Sequence, residues 1–191
     1  MSDFFLFLFN ATLVNNIVLT YLVGVDLQAA NSRRMDVAWF TGLATLYCLC
    51  LTLPVVYLMR SLIIIPLHFE FLDLLIYTLT ILVVVLISKN LFNRLFPFVF
   101  QQVNAFIPII LMNSILLAVI LLQEQFVTSF IRSLLFAFTT GLGFLFLLLV
   151  ITCLRERIDN NNVPRPFRGL PILLISFGML AMGLMGLAGL K

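Results

Sequence analysis

The sequence predicts an all-α polytopic membrane protein, six transmembrane helices in two inverted three-helix repeats with helices 1 and 4 broken at mid-membrane. Three observations predict it. Of 191 residues, 63% are hydrophobic and 10% charged, with 20 phenylalanines, and the mean hydropathy is +1.19. Soluble domains run at roughly 45–50% apolar and about 25% charged. The apolar residues fall into six runs of membrane length, and a short polar motif in the first run recurs in the fourth. This composition excludes a water-soluble globular protein, a disordered tail and a nucleic-acid binder. The small basic excess, +3 with a pI near 9.0, bears on membrane orientation instead.

The runs cover about 4–24, 38–60, 71–88, 98–122, 129–153 and 169–190. A crossing takes about 20 residues as a helix. Backbone groups in hydrocarbon must be satisfied within the segment, and no period-2 alternation points to a barrel. The first run starts near Asp3 without a basic flank or small-residue cleavage site, so it is expected to be retained. The chain reads as one membrane domain, 1–191, with repeat 1 at about 1–95 and repeat 2 at about 96–191.

Basic residues set the orientation. Connections 1–2 (Arg33, Arg34), 3–4 (Lys89, Arg94) and 5–6 (Arg155, Arg157, Arg165, Arg168) carry eight of them. The opposite side carries Arg60, Arg132 and Lys191. The positive-inside rule places the three basic loops in the cytoplasm and both termini outside.

The repeat rests on Leu13-Val14-Asn15-Asn16-Ile17-Val18-Leu19, echoed 98 residues later by Leu111-Met112-Asn113-Ser114-Ile115-Leu116-Leu117. With three spans per half, the second copy crosses in the opposite sense. Inverted repeats place a site near the midplane, often on interrupted helices. An unpartnered amide in lipid costs a few kcal/mol, so Asn15, Asn16 and Asn113 face protein or a cavity. They either mark helix breaks or make interhelical hydrogen bonds. Pro108 favours a break in span 4, because it removes a helix hydrogen bond.

No Asp, Glu or Lys lies at the centre of a span. Glu70, Asp73, Lys89 and Glu124 read as interfacial, and so does His68. Asp26 lies just past span 1, where a re-entrant segment would carry it inward. Asn15, Asn16, Asp26, Asn113 and Ser114 are therefore the candidate midplane polar or ion path. Cys48 and Cys50 are about 200° apart on a helix, and with Cys153 they read as inert buried thiols. No metal-ligand spacing, hydrolase motif or phosphate loop occurs, which disfavours an enzyme acting alone. In span 6, Gly183, Gly186 and Gly189 share a face suited to close helix contact, beside Met179, Met182 and Met185.

Taken together, Leu13-Val14-Asn15-Asn16, Gly24, Arg155-Glu156-Arg157, Val163-Pro164, Pro166-Phe167-Arg168-Gly169 and the glycine-rich last helix resemble the RnfA/NqrE type of subunit. These are integral-membrane subunits of Rnf and sodium-translocating NADH:quinone reductase complexes of the bacterial inner membrane. The resemblance implies six helices in two inverted halves, with helices 1 and 4 broken. It implies pairing with a homologous sister subunit (RnfE or NqrD) and a two-iron two-sulfur cluster held by two cysteines from each sister. It also implies electron relay coupled to Na⁺ or H⁺ movement.

The chain departs from the family at both cluster positions. Val23-Gly24-Val25-Asp26 stands where the first cysteine follows, and Asn113-Ser114 stands where the second does. Iron–sulfur clusters depend on soft thiolates. A cluster is therefore expected to be absent, with Asp26 and Ser114 at the former ligand positions. The leading expectation is a non-catalytic, cluster-free scaffold subunit in an Rnf/Nqr-like ion-translocating oxidoreductase. The alternatives are an independent inverted-repeat ion transporter using Asp26 and Ser114, or a structural subunit of an unrelated membrane complex.

Overall fold

The computed structural model describes residues 23–24, 35–67, 70–95, 114–126, 129–159 and 164–188. Most of span 1, including Asn15 and Asn16, lies outside them, as do Asp26, Asn113 and the break expected at Pro108. Among the described residues there is no strand, and five helices exceed ten residues. They are α1 (Met35–Met59), α2 (Asp73–Leu95), α3 (Ser114–Phe126), α4 (Phe130–Asp159) and α5 (Leu170–Ala188). Among the described residues, three stretches are long and apolar enough to cross a membrane: Met35–Ile64, Asp73–Asn90 and Phe130–Ile158. Ser114–Glu124 and Leu170–Leu184 are shorter apolar helices.

These correspond to expected spans 2, 3, the second half of 4, 5 and 6, with corrected ends. Span 2 continues past residue 60, through a π-helical turn at Arg60–Ile64 and a last helical turn at Ile65–Leu67. Span 5 runs to Asp159, past the expected end at 153, because Arg155, Glu156 and Arg157 continue the helix into the polar zone.

Among the described helices the largest contact is between α1 and α4, and glycines make it possible. A Cβ on Gly42 would lie 3.1 Å from Leu145 Cγ, and one on Gly141 would lie 3.0 Å from Leu46 Cγ. The helices therefore run antiparallel, each setting a glycine under a leucine of the other. Thr41-Gly42-Leu43 and Thr140-Gly141-Leu142 are the same tripeptide 99 residues apart. The contact is thus reciprocal, as in a twofold-related pair. This signal was present in the sequence, one residue off the spacing of the asparagine echo.

Buried Leu49, Leu53, Phe144, Leu147, Leu148 and Ile151 extend this seam into the core. Hydroxyls within it bond to their own helices. Thr45 Oγ1 donates to Thr41 O at 2.8 Å, Thr52 Oγ1 to Cys48 O at 2.6 Å and Thr152 Oγ1 to Leu148 O at 2.6 Å. They bury polar atoms without building a polar path between helices.

The glycine face of α5 differs from α1 and α4. Among the described residues nothing lies within 4 Å of a Cβ on Gly178, Gly183 or Gly186, and Met179 and Met182 are exposed. The close helix contact expected on this face is not made within the described chain.

Gly141→Ala should destabilise the protein by about 1–3 kcal/mol, because the new methyl meets Leu46 backbone at 3.1 Å and overpacking costs that much. Gly178→Ala should be neutral or slightly stabilising, since helix propensity gains up to about 1 kcal/mol. Denaturant unfolding in detergent, with helicity as the readout, separates the two.

Candidate functional site

Of the five candidate polar residues, Ser114 alone is among the described residues. It opens α3. Its Oγ accepts a hydrogen bond from the Gly24 N–H at 3.2 Å, across 90 residues of chain. Two sequence-predicted elements, the glycine after span 1 and the serine in span 4, therefore meet.

Both partners are fixed by local geometry. Gly24 has φ +80°, and a Cβ on it would lie 3.1 Å from Phe144 Cε2 and 3.3 Å from Ile115 Cβ. Only glycine combines that dihedral with that clearance. Ile115 and Phe144 are themselves fully buried. The junction is thus braced against α4 and joins the end of span 1 to the described part of span 4.

The cysteines lie apart from this junction in the chain. Cys48 is buried and Cys50 half-buried in α1, while Cys153 is exposed near the polar end of α4. Among the described residues, no three His, Cys, Asp or Glu side chains come together.

A second polar cluster was not anticipated as a unit. Glu124, expected to be merely interfacial, accepts a hydrogen bond from the Tyr77 hydroxyl and lies 3.8 Å from Arg60 Nε. Its neighbour Gln123, 4% exposed, donates through Nε2 to Leu53 O at 3.2 Å. Leu53 precedes Pro54, which stands buried inside α1. Two adjacent residues of α3 therefore tie it to span 2 at two levels and to α2. Arg60 also opens the π-helical turn, a distortion that re-aims side chains and is frequent at functional sites. Sequence reading lacked a signal here, because the partners come from three helices far apart in the chain.

The described arrangement is that of an all-helical membrane protein whose elements are tied together by backbone-to-side-chain bonds such as Gly24–Ser114 and Gln123–Leu53. The family model described as "Rnf-Nqr subunit, membrane protein" matches residues 4–191, and the chain belongs to that Rnf-Nqr family. It is 33% identical over 190 residues to the RnfA-type component of the ion-translocating oxidoreductase complex of Histophilus somni (strain 2336), covering 100% of this chain and 98% of the relative. The Vibrio vulnificus (strain YJ016) protein of the same name is 33% identical over 190 residues, covering 100% and 99%. That of Cereibacter sphaeroides (strain ATCC 17029 / ATH 2.4.9) is 36% identical over 190 residues, covering 100% and 98%.

Tyr77→Phe should cost about 1.5–3 kcal/mol, the usual range for a hydrogen bond to a charged group. Arg60→Gln should cost less than about 1 kcal/mol, since this ion pair is partly exposed. Ser114→Ala should cost about 1–2 kcal/mol by leaving the Gly24 N–H without its acceptor. Ser176→Ala, which removes only a bond from Ser176 Oγ to the Ile172 carbonyl of its own helix at 2.8 Å, should be close to neutral. Thermal midpoints of the four variants in one detergent rank these effects.

Proposed function

We propose that this chain is the RnfA-type membrane component of an ion-translocating, electron-transferring oxidoreductase complex, and that it holds no iron–sulfur cluster. The full-length match to the RnfA-type relatives supports the first part. The single observation behind the second is the Gly24 N–H to Ser114 Oγ bond. At the position where the family resemblance puts a thiolate, a hydroxyl oxygen is present and serves as a structural acceptor.

The donor set does not fit a two-iron two-sulfur cluster. Position 114 offers an oxygen and position 26 a carboxylate, whereas such clusters are held by soft thiolates. Cys48, Cys50 and Cys153 sit on α1 and α4, away from both positions in sequence. The chain serves instead as a scaffold, its helix ends held by hydrogen bonds.

The remaining features belong to the same reading. The two halves, about 1–95 and 96–191, are inverted repeats, a reading supported by the reciprocal Gly42–Leu145 and Gly141–Leu46 contacts. A homologous sister of the RnfE/NqrD type covers the open glycine and methionine face of α5. The complex resides in the bacterial inner membrane, with the basic loops in the cytoplasm and both termini in the periplasm. Asn15, Asn16, Asp26, Asn113 and Ser114 line the position of the former cluster as a polar region.

The test is gentle extraction from the native membrane followed by mass spectrometry of co-purifying proteins, with iron and electron paramagnetic resonance analysis of the intact complex. Flavin and iron–sulfur subunits should co-purify, and no cluster should depend on this chain. In the Asp26→Cys, Ser114→Cys double variant, a new two-iron two-sulfur signal should appear wherever the partner supplies two further thiolates. Recovery of the chain alone or as a homodimer overturns the complex-member reading in favour of an independent transporter. A cluster lost on Ser114→Ala overturns the cluster-free reading.

A further inference from the structure

The basic end of the α4–α5 pair carries a groove that the electron-transfer reading does not use. Its walls are Ile151, Leu154 and Ile158 of α4 and Ile172 and Leu173 of α5, with Arg155 among them. It is a narrow groove open along one side, whose enclosed space is little more than that of a water molecule and far below the roughly 300–1,000 Å³ of a whole-ligand site. It therefore suits a chain segment, not a complete cofactor. Ser176 lies along it, but its hydroxyl is engaged by the Ile172 carbonyl, which leaves the lining apolar in character.

The entrance is open and positively charged. Gly169 turns the chain into α5 at φ +89°, and a Cβ there would meet nothing within 4 Å. Residues 155–168 hold four arginines against Glu156 and Asp159. Arg157 and Arg168 are exposed and Arg155 half-buried. Arg155 and Arg168 also engage neighbours within the chain, but a guanidinium has five N–H donors and serves more than one acceptor. The N-terminus of the 19-residue helix α5 adds its own positive end at the same place. Phe167, Leu170 and Leu174 form an exposed apolar rim.

We infer that this groove binds an anionic phospholipid, its phosphate at Arg155, Arg168 and the start of α5, and an acyl chain along the α4–α5 cleft. Charge complementarity selects the anionic headgroup, since basic pockets between membrane helices recognise such lipids. A free anion would use the arginines and leave the apolar walls empty. An acidic protein segment would use the loop and not a cleft running between two membrane helices. The inference is independent of whether the complex carries a cluster.

The test uses the full chain in detergent, stripped of lipid by extended washing. It is titrated with phosphatidylglycerol and separately with phosphatidylcholine, and bound lipid is counted by native mass spectrometry. Phosphatidylglycerol should bind and raise the thermal midpoint, whereas phosphatidylcholine should do neither. Arg155→Gln and Arg168→Gln, both at the polar end, should each weaken phosphatidylglycerol binding by about fivefold, measured against each variant's own lipid-free midpoint because both side chains also engage neighbours within the chain. Ser176→Phe should fill the groove and weaken binding with the arginines intact. Equal binding of the two lipids overturns the inference. So does unchanged binding in Ser176→Phe, which would place the headgroup on the loop alone. Retention of lipid by the arginine variants, together with loss of the complex's soluble subunits, overturns it in favour of a protein-docking loop.

Discussion

The close approach of α1 and α4 is the constraint on which the rest of this fold depends. Helices in a bilayer gain little by exchanging lipid contacts for protein contacts, so association rests on tight van der Waals packing and on polar bonds. Gly42 and Gly141 remove the side chains that would hold the two backbones apart, and Leu145 and Leu46 fill the space. Phe144 and Leu148 on one helix and Leu49 and Leu53 on the other are consequently buried. The seam also positions the junction near the end of span 1, because Phe144, on the turn after Gly141, is the side chain against which Gly24 rests.

Polar bonds then fix what packing alone leaves free. The register of α3 against span 2 is pinned by polar contacts from two adjacent residues. Gln123 donates to the Leu53 carbonyl, one residue before Pro54 and three beyond the Cys50 carbonyl that the proline leaves without its helix donor. About two turns further along the same span, Arg60 meets Glu124. Freed or distorted backbone in a membrane helix persists where neighbouring side chains satisfy it. Gln123 and Glu124 of α3, with Tyr77 from α2, thus brace span 2 between its proline and its π-helical turn.

Much of the architecture was legible in the sequence because hydrocarbon permits so few alternatives. Runs such as 71–88 and 169–190 had to be helices, and α2 and α5 lie over them, with α2 continuing several residues further into the polar zone. Helix ends in polar zones were harder to read. Arg155-Glu156-Arg157 looks like a loop by composition, yet it continues α4 because all three are good helix formers. The Ser114 position was legible through its place in the asparagine echo, and its partner Gly24 through the family-like element after span 1. Glu124 was not, because a carboxylate at a span end looks the same whether it faces water or an arginine and a tyrosine from two other helices. The paired Thr-Gly-Leu tripeptides were visible but carried no meaning until the contact supplied it. Small residues are common in membrane helices, and only reciprocity distinguishes a seam from composition.

On the proposed cluster-free reading, the junction at Ser114 separates two roles that one residue position can play. An N–H aimed at a cluster-bound sulfur tunes a redox centre through hydrogen bonding. The same N–H aimed at a hydroxyl simply ties two chain segments together. Here the Gly24 dihedral, its clearance against Phe144 and its N–H direction are all in place, while the accepting atom is oxygen. Exchanging sulfur for oxygen leaves the mechanical link intact, since a hydroxyl is the better hydrogen-bond acceptor. It removes the atom that would bind iron. Under the proposed reading, that bond ties the two chain segments together without a metal between them, which is the physical condition for a scaffold role.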